Sequence, residues 1–247
     1  MVRTLLVRGM LAGLVAGLVY ALFAYVFGQP PLEAGLAYEE QVSAAAGEAP
    51  GVELVSRGVQ ATIGLTTAAV VYGVAVGGIF ALVYAAVYGR VGRLSPRATA
   101  AVLALASFVV VYAVPFMKYP SNPPASSIDT TIGERTGLYV VMVLFSVMLA
   151  IAAITLGRRL VARMGAWNAT LVAAGAYILA VGIVGFFMPR VSETPADFPA
   201  NVIYDFRLAS LGGQLVLWTA LGLVFGALID GSFRRRNAER RIDAPAR

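Results

Sequence analysis

Six stretches of the chain are apolar for about the length needed to cross a bilayer core, roughly 20 residues at 1.5 Å rise each. They run from Gly9 to Phe27, Ala61 to Tyr88, Thr99 to Met117, Gly137 to Gly157, Trp167 to Met188 and Gly213 to Ile229, and none contains Asp, Glu, Lys or Arg. Arg3 and Arg8 precede the first run as in a secretory signal, but the run is too long and no A-x-A site follows it, which predicts a retained helix. Short connections alternate with longer ones that hold most of the prolines. The pattern predicts an all-α membrane protein: a six-transmembrane-helix bundle over residues 1–232 as one domain, then a basic cytoplasmic tail over 233–247.

Orientation follows from the basic residues. Of the 19, only Arg57, Lys118, Arg135, Arg190 and Arg207 fall in the longer connections; the rest flank the short ones or the termini. Both termini are therefore expected in the cytoplasm. Acidic residues run the other way, with Glu33, Glu39, Glu40, Glu48, Glu53, Asp129, Glu134, Glu193, Asp197 and Asp205 outside and Asp230, Glu239 and Asp243 inside. The net charge of +6 thus conceals an acidic outer face. The cluster from Arg234 to Arg241 reads as a stop-transfer segment held near anionic headgroups, not as a nucleic-acid patch.

Composition narrows the chemistry. Only 13% of residues are charged, against about 25% in soluble domains. With no histidine and no cysteine the chain alone builds no catalytic triad, HExxH zinc site, His-ligated haem or thiol chemistry. Lys118 is the one lysine, so no GxxxxGK[ST] phosphate loop exists. An enzyme is not expected, and any energy source is a gradient or a partner.

Small-xxx-small spacing at Gly9, Gly13 and Gly17, at Gly73 and Gly77, and at Gly222 and Gly226 marks faces where helices approach closely. The third and fifth runs both end in a proline, methionine and aromatic cluster. The second, fourth and sixth are each preceded by a carboxylate and an arginine: Glu53 with Arg57, Glu134 with Arg135, Asp205 with Arg207. Three repeated helical hairpins account for this pattern, and so does chance similarity at helix entrances.

The longer connections carry the candidate chemistry. If the first is helical, Glu33 and Glu40 share a face with Glu39 nearby, either as oxygen ligands for a divalent cation or as a solvated surface. In the second, Thr131 and Glu134 have capping-box spacing, while Lys118 and Arg135 are placed to neutralise carboxylates. The third offers Asp197 and then Asp205 and Arg207. Metal candidates are therefore Glu33, Glu39, Glu40, Glu134, Asp197 and Asp205, around an acidic external vestibule. Thr62, Thr66, Thr67, Ser107, Ser146 and Gln214 are polar groups able to line an interior path or to make ordinary interhelical contacts. No charge sits inside a span, which argues against a midplane carboxylate relay.

The strings Val-Pro-Phe-Met-Lys-Tyr-Pro-Ser-Asn-Pro-Pro (114–124), which contains Lys118, Tyr119 and Asn122, and Thr-Ile-Gly-Glu-Arg-Thr (131–136) resemble the CbtA family of predicted cobalt transporters. So do Glu-Thr-Pro-Ala-Asp-Phe-Pro-Ala (193–200), the segment 206–218 and Glu-Ala-Gly-Leu-Ala-Tyr-Glu (33–39). The resemblance implies a multi-pass inner-membrane protein supplying cobalt for cobalamin synthesis, often beside a small single-span CbtB partner with a His-rich terminus. No tightly bound cofactor is expected, only transported Co²⁺; the partners admitted are the lipid bilayer, a CbtB-type subunit and further copies in a homo-oligomer. Many members carry a His-rich stretch in the first external loop. Here Val-Ser-Ala-Ala-Ala-Gly-Glu-Ala-Pro (42–50) stands instead, so an imidazole trap is absent. The competing reading is a non-transporting scaffold that holds another membrane protein through its Pro-rich external loops.

Overall fold

The structure is a computed structural model that describes residues 2–48, 54–90, 94–127, 131–191 and 194–242, with side chains as far as Gly231. Glu53, Arg93, Asp129, Glu193 and residues 243–247 lie outside the described residues, and of the tail before them only the backbone is described. No strand occurs among the described residues. Five helices are long and apolar enough to span a membrane: α1 (Val2–Ala45), α2 (Arg57–Val87), α3 (Pro96–Lys118), α4 (Ile132–Phe187) and α5, whose apolar part is Ala200–Gly231. The backbone of α5 continues helical to Ile242.

Helix continuity thus gives five elements where the hydropathy pattern predicts six. The difference lies in α4, which at 56 residues would be about 84 Å long if straight, well over twice a bilayer core. Its backbone leaves helical geometry at one residue, Gly165 (φ 78°, ψ 163°), a conformation essentially restricted to glycine. Across that point the chain folds back: a Cβ added at Gly157 would meet the Ala173 methyl at 3.1 Å, and Ser146 and Tyr177 share a hydrogen bond of 2.7 Å. A one-residue reversal leaves no polar, proline-marked connection, and the stretch holding Arg158, Arg159 and Arg163 remains helical.

The tightest packing joins α1 to α2. A Cβ added at Gly13 would fall on the carbonyl oxygen of Gly73, one at Gly77 on that of Gly9, and one at Gly17 would lie 2.5 Å from the carbonyl oxygen of Ala69. Bare backbones therefore touch along three helical turns, as lipid-embedded helices require when no hydrophobic transfer term drives association. α5 closes on this pair and on α3, where Ala104 sits against Gly222. The core holds Ala12, Ala16, Phe80, Tyr84, Leu221 and Phe225, with Phe80 and Tyr84 edge-on to Phe225 at 5.2 and 5.1 Å. At the start of α3, Ser95 accepts the Ala98 amide at 3.2 Å and Pro96 occupies the first turn, a regular N-terminal cap.

In two of the runs that lead into the longer connections the helix widens just before a proline, whereas a third π-helical turn, Gln60–Gly64 near the start of α2, has no proline after it. Residues Ala24–Gly28 and Phe108–Ala113 are π-helical, and each is followed by proline, at Pro30 and Pro31 or at Pro115. A proline ring clashes with the carbonyl four residues back, and the wider π turn relieves that clash. It also leaves a carbonyl without a donor: in π register Val110 would pair with residue 115, which has no N–H. Ser146 supplies the missing donor, 2.6 Å from the Val110 oxygen, while also bonded to Tyr177. The two arms of α4 are thereby pinned to the outer half of α3, which is the part of the bundle they chiefly pack against.

Candidate functional site

The longer connections fold onto one another as a cap. In the C-terminal extension of α1, Gly35 lies so close to the second connection that a Cβ there would meet Pro123 and Pro124 at 3.2 Å. Pro123 and Ser126 are fully buried beneath it, and the Ser126 hydroxyl donates to the Pro123 carbonyl at 2.6 Å. Three residues on, the Tyr38 ring packs edge-on against Phe198 of the third connection at 4.8 Å, with the Asp197 carboxylate near its hydroxyl. Desolvation first, and then that carboxylate, raises the Tyr38 phenol above its ordinary pKa.

Under the cap, α3, α4 and α5 enclose a cavity of about 280 Å³ whose lining includes Lys118, Arg135 and Arg207, with Tyr119, Ser121 and Asn122 between them. No carboxylate lines it. Arg207 donates from Nη2 to Asn122 Oδ1 at 2.7 Å, and its Nε is buried with no hydrogen-bond partner. Burial lowers the pKa of this guanidinium, which nonetheless stays cationic near neutrality. Tyr119 is 9% exposed, donates to the Pro189 carbonyl at 2.8 Å and carries the Lys118 ammonium 5.7 Å from its ring centre. Desolvation raises the Tyr119 pKa.

The floor of this cavity is phenolic. Tyr112 and Tyr139 line it from α3 and α4. Tyr20 of α1 and Tyr72 of α2 are near enough to Tyr112 to influence it electrostatically, which places them in the neighbourhood of that floor. Tyr72 lies in hydrogen-bonding reach of Gln214, which brings in α5. The Ser121 hydroxyl and the Gln214 amide oxygen are buried, close to Tyr112 and Tyr72 respectively, and neither completes a hydrogen bond of regular geometry. Gly212 and Gly213 make room for this group, since a Cβ at either would lie within 3 Å of the Phe23 or Tyr20 ring.

The six predicted carboxylates sit elsewhere. Glu33, Glu39, Glu40, Glu134, Asp197 and Asp205 are all solvent-exposed, and among the described residues no three acidic groups come together as a metal-binding set. Thr131 occupies the N-cap of α4 without the side-chain bond that its capping-box spacing with Glu134 predicts. Lys118, Tyr119, Asn122, Arg135 and Arg207, scattered over 90 residues of sequence, are the ones brought together. Of the expected lining hydroxyls, Thr62 bonds the Gly58 carbonyl at 2.7 Å, Ser146 is absorbed at the α3 π turn, and Gln214 alone joins the phenolic group. Sequence reasoning missed Tyr20, Tyr72, Tyr112, Tyr139 and Ser121. The available signal was a tyrosine in each of the first four runs in the half nearer the longer connections, with Tyr25 a second one in the first run.

A family model described as a probable cobalt transporter subunit (CbtA) matches residues 2–230. The chain belongs to the CbtA family. It is accordingly a multi-pass membrane protein and a transporter subunit, not an enzyme. No curated protein and no solved structure matches it. In this family member the cationic pocket and the phenolic floor lie at the end of the bundle that carries the longer connections.

Proposed function

We propose that this chain is the membrane-embedded subunit of an inner-membrane cobalt uptake system, and that Co²⁺ moves through the bundle past the phenolic group of Tyr20, Tyr72, Tyr112 and Tyr139. The observation that carries this reading is a cavity lined by the hydroxyls of Tyr112, Tyr119, Ser121 and Tyr139, with Tyr20, Tyr72 and Gln214 in its neighbourhood, in an otherwise apolar bundle. Buried polar atoms in lipid are costly when unpaired, and Ser121 and Gln214 each hold one, facing the group where a passing cation's hydration shell would be replaced. Neutral oxygens bind a hard or borderline divalent ion weakly enough to release it. With no histidine, cysteine or intramembrane acid, the route is channel-like or depends on a partner for coupling.

In this reading α4 crosses the membrane twice, with its reversal at Gly165, giving six crossings and both termini in the cytoplasm. The exposed Glu33, Glu39, Glu40, Glu134, Asp197 and Asp205 act as a diffuse acidic surface that raises local cation concentration without fixing the ion. A CbtB-type single-span subunit or a second copy packs against α4, whose arms leave much apolar surface uncovered. Cobalt uptake into vesicles, with and without such a companion subunit, tests the proposal. The expected result is metal entry that requires this chain. Absence of both binding and entry in either condition would instead favour the scaffold reading, for which the absence of an acidic metal set among the described residues is the supporting observation.

A further inference from the structure

The pocket beneath the cap has the wrong sign for capturing a metal cation. Lys118, Arg135 and Arg207 line one cavity with no carboxylate among the lining groups, at the edge of an apolar bundle where charge is poorly screened. Asn122 uses its amide oxygen to hold Arg207, which fixes the guanidinium and leaves its buried Nε without an acceptor. Tyr119, Ser121, Thr136 and Tyr139 add hydroxyl groups to the same wall. A donor-rich, acceptor-poor cavity of about 280 Å³ matches a group that brings several acceptor oxygens and negative charge.

The pocket also has an apolar outlet. Phe116, Pro120 and Arg207 are shared with a neighbouring groove whose further walls are Phe108, Ala113, Met117 and Leu211. That groove meets, at Phe108, a third depression between α3 and α5 lined by Ala104, Trp218 and Gly222. A cationic head site thus opens onto an apolar furrow descending along α3 and α5 toward mid-bundle.

We infer that this pocket binds an oxyanion, and that its continuity with the furrow makes the natural occupant the phosphate headgroup of an anionic lipid, with an acyl chain along α3 and α5. The bound phosphate supplies the missing acceptor at Arg207 and offsets three like charges, tying α3, α4 and α5 together at their outer ends. Although Tyr112 and Tyr139 also belong to the proposed metal route, this inference does not rest on that route, because it concerns the charge and shape of the pocket alone.

The test uses the full chain purified into nanodiscs of phosphatidylcholine, with phosphatidylglycerol, inorganic phosphate or citrate added in separate arms. Thermal unfolding and native mass spectrometry are the readouts. The expected result is retained phosphatidylglycerol and a higher Tm in its arm, with binding weakened about tenfold or more by Arg207→Gln, the size expected for one lost charge-assisted hydrogen bond. Arg190→Gln, a change outside the pocket, should leave binding unaltered. If Arg207→Gln does not fold, the double variant Lys118→Gln, Arg135→Gln gives the same reading. Stabilisation by phosphate or citrate alone, abolished by the same variants, supports an oxyanion site but assigns it to a soluble anion. No effect in any arm, or equal loss with Arg190→Gln, overturns the inference and leaves the cobalt reading untouched.

Discussion

Replacing Gly13 by leucine should abolish the stable bundle. Its hydrogen points at the carbonyl oxygen of Gly73 and the α-carbon of Gly77, and none of these is the end of a flexible side chain that can move aside. Overpacking a core against side chains costs typically 1–3 kcal/mol, and displacing two helix backbones exceeds the upper part of that range. The loss extends past one residue, since Gly9 and Gly17 make the same kind of approach one turn to either side. In lipid the close contact is itself the driving force for association, so separated helices have little to replace it. The control is Gly182→Leu in the second arm of α4, where an added Cβ meets nothing within 4 Å. Size-exclusion profiles and thermal unfolding in detergent should show Gly13→Leu aggregated or strongly destabilised and Gly182→Leu close to wild type. Equal stability of the two would refute close backbone packing between α1 and α2.

Cobalt entry should fall about tenfold or more when Tyr112 and Tyr139 are both changed to phenylalanine, while the amount and stability of the protein remain near wild type. Each substitution removes one oxygen and keeps the ring, so the α3–α4 packing persists. What changes is the supply of oxygens able to substitute for water around an ion in a poorly hydrated interior. A tenfold effect corresponds to about 1.4 kcal/mol in the transport barrier, within reach of a single weak ion–oxygen contact. Tyr204→Phe, at a side chain 65% exposed on the outer surface, should have no effect on the rate. Normal rates in the double variant would mean that these tyrosines serve only as interhelical contacts.

The membrane-spanning runs and the family were legible in the sequence because both are local properties: twenty apolar residues in a row, or an unbroken string such as 114–124. The reversal in α4 falls inside the connection that the fourth and fifth runs leave at 158–166, but the sequence does not show that the helix continues through Arg158, Arg159 and Arg163 to turn at Gly165 alone. Periodicity placed Glu33 and Glu40 on one face of the α1 extension, but it does not say which face turns inward. Gly35, pressed against Pro123 and Pro124, and Tyr38, edge-on to Phe198, turn it the other way and leave the acids in water. Prolines read as stiff loop residues, yet Pro30, Pro31 and Pro115 also reshape the helices before them, and the role of Ser146 follows from that alone. Lys118 and Arg135 looked like neutralising charges and Arg207 like the companion of Asp205 at a helix entrance. Only the packing of the second connection between α4 and α5 makes them one pocket.

The most direct test exploits the absence of cysteine in the sequence. A single Tyr139→Cys variant in right-side-out vesicles is treated with a membrane-impermeant thiol reagent, and cobalt entry is followed as labelling proceeds. The expected result is modification from the outside, slowed by added Co²⁺, with entry falling in step with the fraction labelled. Labelling that leaves cobalt entry unchanged, or reaction only from the cytoplasmic face, would contradict an outward-opening phenolic route for the metal.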